Sequence, residues 1–196
     1  MKPILFNTDM VKAIMEGRKT VTRRVVKPRY RPDEVAFQII TNARSGKFVG
    51  VELLDEYEEA TRYMPQPFYE GDILYVREAW AEMHYGYVYR ADGETPEGWD
   101  ASDRWRPSIH MPKEAARAFL RVSDVRVERL QDMHEKYPPG PDNPVVKEGF
   151  LFLCDFIATW QNTINPADIH SYGWEANPWV WVIEFERCAK PEAEEG

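Results

Sequence analysis

Thr8-Asp9-Met10-Val11-Lys12-Ala13-Ile14-Met15-Glu16-Gly17-Arg18-Lys19-Thr20-Val21-Thr22-Arg23-Arg24 changes its period halfway along. Met10, Val11, Ile14 and Met15 recur at the spacing of one helical face, and Thr8 or Asp9 supplies the N-cap. Gly17 stands where a helix closes on a left-handed residue. Thr20 to Val26 is β-branched and reads as a strand, stopped by Lys27-Pro28. The second half, Gly17 to Arg24, sets four cations and two hydroxyls within eight residues of a chain whose net charge is −8. An acidic chain gains no solubility from such a knot. It is either the solvated edge of a strand or a site for something anionic or nucleotide-like.

Outward from this unit, Pro3 to Phe6 reads as a short strand before the helix. Phe37 to Thr41 and Phe48 to Leu54 read as a hairpin, and Met64-Pro65-Gln66-Pro67 as an irregular connection. Gly71-Asp72 opens a strand from Ile73 to Ala79, with another over Tyr85 to Arg90 and a loop over 92–104. Arg117 to Leu130 alternates as a long strand, and Trp179 to Phe185 is a final one. Pro138-Pro139-Gly140-Pro141 breaks a helix beginning after Gln131, and Val145 to Asn162 reads mostly as helix. No internal repeat is visible.

The length of 196 residues suits one domain over 1–190 and permits a sizeable core. A variable insertion occupies about 29–68, and 191–196 reads as a frayed acidic tail. The expected class is α+β: a small mixed β-barrel with helices packed outside it, since closure removes exposed edges. Two cysteines make no disulfide framework, and Cys154, within an apolar run, is expected as a buried, reduced thiol. No apolar stretch approaches about 18 residues, and no signal peptide pattern is present, so a cytoplasmic protein with no membrane partner is expected. His84, His110, His134 and His170 show no metal spacing, and no cofactor motif occurs.

Four segments in order resemble the ASCH domain family, and its phage and prophage members above all. They are Met10 to Arg24, Gly71 to Glu78, Arg104-Trp105-Arg106-Pro107-Ser108-Ile109-His110-Met111-Pro112, and Trp179 to Phe185. The resemblance implies a PUA-like barrel with a cleft between barrel and early helix. It also implies RNA or nucleotide binding, and in some small members hydrolysis of the amide of N4-acetylcytidine. Those hydrolases carry a Lys, a Thr three residues later and a Glu from a later segment. Lys19 and Thr22 fall on the first two positions, and Glu148 is the best match to the third, although Tyr137 to Asn143 interrupts the helix leading into it.

Such a reaction needs a nucleophile, a base and a group for the leaving amine. Thr22 supplies a hydroxyl, Lys19 an amine that burial and Arg18, Arg23 and Arg24 depress, and Glu148 a carboxyl. Residues three apart on a strand face opposite ways, so Lys19 must still lie in the turn to meet Thr22. Arg77 and Glu78 either form structural ion pairs or line the cleft. Trp80, Trp105 and Tyr89 can stack a base or fill the core, and Arg106 and His110 flank an irregular Pro107 segment. The competing functions are a nucleoside amidohydrolase, a module binding short single-stranded RNA, and an accessory protein whose cleft meets a protein partner. Outside residues 18–31 the cations are interspersed with acids, which favours a nucleoside or short single strand over a duplex.

Overall fold

Asn7 begins the only helix that the opening stretch needed. A computed structural model describes residues 1–27, 36–135, 140 and 142–191. In it β1 (Lys2–Leu5) leads into α1 (Thr8–Met15) and then β2 (Val21–Val25). The cap is Asn7, one residue before Thr8, and its side chain accepts from the Met10 amide at 2.9 Å. Gly17 closes α1 at φ +76°, and the Arg18 and Lys19 amides both turn back to the Ala13 carbonyl.

The main sheet has five strands in the order β1, β6 (Ile73–Arg77), β9 (Phe119–Arg129), β10 (Trp179–Cys188), β2. β1 lies parallel to β6, and every other pairing is antiparallel. β1 and β2 therefore sit at opposite edges although only α1 and a turn separate them in the chain. The sheet curves far enough for the Arg24 side chain of β2 to donate to the Leu5 carbonyl of β1 at 2.7 Å. Along β10, Trp181, Ile183 and Phe185 join one core with Ile4, Val76 and Leu120, while Val180 and Val182 join another. This second core packs against α4 (Leu153–Thr163) through Phe156 and Trp160. Burial of both faces explains why β10 is nearly continuous in apolar residues.

Two smaller sheets complete the described chain: β3 (Ala36–Thr41), β4 (Phe48–Leu54) and β5 (Ala60–Pro65), and the pair β7 (Trp80–Met83) and β8 (Gly86–Tyr89). The 37–54 hairpin is present, but the segment read as an irregular connection at Met64-Pro65 belongs to β5. Pro65 is tolerated there because β5 is an edge strand and Pro65 is its last residue. Short helices α2 (Asp132–Glu135), α3 (Pro144–Lys147) and α5 (Ile169–Tyr172) fill the C-terminal half. Residues 145–162 are not one helix: Gly149, at φ +93°, separates α3 from α4. The exposed Leu151 and Phe152 lie in that break, and Cys154 is exposed, contrary to its expected burial. An apolar run signals burial only if its period is kept, and the glycine destroys it here. The architecture is mixed α+β. The acidic run Glu192 to Glu195, Arg29 to Arg31 and most of the 138–141 breaker lie outside the described residues. No helix among the described residues is long and apolar enough to cross a membrane.

Candidate functional site

Lys19 is in the turn before β2, and it is buried with only 2% of its surface exposed. Its ammonium donates to the Val21 carbonyl at 2.7 Å, to the Glu148 carbonyl at 3.0 Å and to Glu148 Oε2. An ammonium has three protons, so every one has an acceptor. Glu148, equally buried, receives Arg23 Nη1 on its other oxygen at 3.1 Å. Arg23 is itself 3% exposed and has Glu128 Oε2 at 3.6 Å from its Nη2. The centre is thus two cations on two carboxylates, almost without solvent. Burial holds Lys19 below the ordinary lysine value, with Arg24 and Arg23 acting in the same direction and Glu148 opposing them.

Backbone contacts explain how residues 129 positions apart in the chain meet. The Thr20 amide donates to the Lys147 carbonyl at 2.8 Å, and Arg18 Nη1 to the Gly149 carbonyl at 3.0 Å. The turn is also held to β10, where the Phe185 amide donates to the Thr20 carbonyl at 2.8 Å. Gly149 permits this closeness, because a Cβ there would lie 2.9 Å from Ala13 Cβ and 3.3 Å from Lys19 Cβ.

Thr22 is buried, and its hydroxyl makes no hydrogen bond among the described residues. Thr22 and Glu148 line one cavity of about 20 Å³ between β2 and α4, roomy enough for a single water molecule. A neighbouring cavity of about 150 Å³, between α1 and the α3–α4 break, is lined by Asn7, Asp9, Ala13, Arg18 and Phe150. The two share Met10, Glu148 and Thr159, so Glu148 faces both. Together they form a narrow cleft, well below the roughly 300 Å³ at which whole-ligand pockets begin. The outer cavity has room for the acylamide end of a ligand but not for a whole nucleoside.

The other sequence candidates separate into groups. Arg18 stands at the mouth of the larger cavity, and Arg24 lines the smaller while its guanidinium lies 5.3 Å from the Phe6 ring centre. Arg77 is structural: its Nε donates to the Met111 carbonyl at 2.8 Å and its Nη2 to the Ile109 carbonyl. Glu78, 1% exposed, is bidentate with Arg117 at 3.0 and 3.1 Å, and Arg117 also reaches Asp92 at 2.6 Å. Burial raises the Glu78 carboxyl above its ordinary value even with Arg117 beside it. Trp80 is no stacking platform, being buried against Met111, Ala115 and Phe119. Tyr89 donates to the Ala115 carbonyl at 2.6 Å under the Arg117 guanidinium. Arg106 lies over the Trp80 ring and near Glu82, and the exposed His110 lines neither cavity. Trp105 borders a different groove.

Sequence reasoning missed Arg23 as the second cation on Glu148, and Met10 and Thr159 as cleft walls. Arg23 had a signal, since β2 alternation sets it on the face of Val21 and Val25, which pack in the core with α4. Among the described residues no cluster of His, Cys, Asp and Glu could hold a metal. Compared with family models, curated proteins and solved structures, the chain matches none of them.

Proposed function

We propose that this protein is an ASCH-type domain whose main sheet forms a PUA-like barrel and whose cleft hydrolyses the amide of an N4-acylated cytidine or related modified nucleoside. One observation carries the reading: a buried Lys19–Glu148 ion pair beside a cavity onto which the unpartnered hydroxyl of Thr22 opens. A salt bridge that served stability alone would gain little from burial, because desolvation of both ions offsets their attraction. A depressed lysine paired with a carboxylate that shares a cavity with a free hydroxyl is instead a setting for an activated nucleophile.

Lys19, as the neutral amine, takes the proton of Thr22 Oγ1 as that oxygen adds to the amide carbonyl. Lys19 returns this proton to the cytosine nitrogen as the C–N bond breaks, leaving the acyl group as an ester on Thr22. A water molecule then gives a proton to Lys19, adds to the ester and releases the carboxylic acid, and Thr22 recovers its proton. Arg23 keeps the second Glu148 oxygen occupied, so the carboxyl meets Lys19 through Oε2 throughout. The narrow cleft admits the acyl group and leaves the base and sugar at its mouth, near Arg18.

The test is a panel of N4-acylated cytidines incubated with the wild type and with Lys19→Ala and Thr22→Ala. The wild type turns over at least one member, and each substitution reduces turnover at least 100-fold, the lower range for loss of acid–base catalysis. Equal rates in wild type and variants would remove the enzyme reading.

A further inference from the structure

A cavity larger than the cleft lies beside it. A groove of about 600 Å³ lies between the start of α1 and the loop running from Arg90 to Trp105, sharing Asn7 and Asp9 with the cleft's outer cavity. That volume is within the range of small-molecule sites. Trp99 and Trp105 form its aromatic wall, with ring centres 4.5 Å apart and planes inclined at 31°. This spacing leaves no room for a ring between the two indoles, so a ligand stacks on an outward face.

The charges of the groove are distinctive. Lys12 and Arg90 both line it, and neither makes a side-chain hydrogen bond or ion pair among the described residues. Gly93, at φ +82°, closes the turn after Arg90, and a Cβ there would lie 3.8 Å from Lys12 Nζ. The lysine head therefore lies beside the Gly93 turn, at the wall of the groove. Arg117, Arg126 and Arg23, by contrast, each pair with carboxylates. Asp9 and Glu94 also line the groove, which leaves its charged lining with no net charge. Such a lining suits one phosphate and disfavours a run of them.

We propose that this groove is a second binding site, for a nucleobase carrying a phosphate. The base stacks on the Trp99–Trp105 wall, Lys12 and Arg90 take the phosphate, and Asp9 or Glu94 accepts from an exocyclic amine of the base. The same chemistry is offered by a free mononucleotide and by one unit of a single strand. The site is independent of the cleft reaction.

Titration of indole fluorescence with cytidine monophosphate, cytidine and a six-residue oligocytidylate tests this without any turnover assay. Cytidine monophosphate quenches the wild type and binds more tightly than cytidine. Trp99→Ala and Trp105→Ala each weaken binding by roughly 5- to 150-fold, the effect of losing one stacked base. Lys12→Gln brings the monophosphate down toward cytidine and flattens its salt dependence. Trp105→Phe keeps most of the affinity, which separates loss of stacking from loss of fold. A tighter oligonucleotide identifies the single strand as the source, and an equal or weaker one identifies the free nucleotide. Cytidine binding as well as its monophosphate, or alanine variants binding like the wild type, would overturn the proposal. Nucleotide binding with no deacylation would remove the cleft reaction and leave this site standing.

Discussion

Lys19 concentrates the physical tension of the molecule. Its ammonium is fully hydrogen-bonded, yet burial favours the neutral amine. The folded state therefore binds fewer protons than the unfolded chain between the lowered Lys19 value and the usual 10.5. Stability must rise with pH through that window, because it rises wherever the unfolded state holds more protons. Below the lowered value the full cost of burying the charge remains. Lys19→Met lacks this titration, so thermal unfolding of the two proteins from pH 7 to 10 should show the wild type gaining on the variant as pH rises. A constant difference would mean that Lys19 is as solvated as an ordinary lysine.

The element that makes the site possible is the break between α3 and α4. Glu148 ends α3, and Gly149 turns the chain away at positive φ while passing within van der Waals distance of Ala13 and Lys19. Gly149→Ala introduces both a strained backbone and a short contact. It should lower unfolding free energy by about 1–3 kcal/mol and move Glu148 off Lys19, so chemical denaturation and deacylation should fall together. Unchanged stability would show that the segment has room to relax. This break was not legible in advance: Phe150-Leu151-Phe152-Leu153 reads as core, and only the folded chain leaves Leu151 and Phe152 exposed. By contrast α1, Gly17 and β2 were legible, because capping, a left-handed glycine and β-branching are local properties. The strand β5 was missed because a terminal proline on an edge strand looks like a loop.

At the scale of the molecule, the site joins the two ends of the chain. The turn at 18–20 is fixed by β10 on one side and by residues 147–149 on the other. The basic knot from Gly17 to Arg24 was visible in its charge and hydroxyl pattern, but Lys19 and Thr22 within it, like Glu148, were singled out only by a family resemblance, and no local spacing links Glu148 to them. Strand order was equally hidden: α1 carries the chain between opposite edges of the sheet, a consequence of curvature that no strand encodes alone. Trp99, in a segment read as plain loop, gained meaning only beside Trp105 and Lys12. The central claim is that this junction of distant segments makes Thr22 a nucleophile. Rapid quenching of the protein with an N4-acylated cytidine, followed by peptide mass spectrometry, tests it directly. The account predicts one acyl group, on Thr22, that is absent in Lys19→Ala. Turnover that persists in Thr22→Ala, or an acyl group carried on another residue, would contradict it.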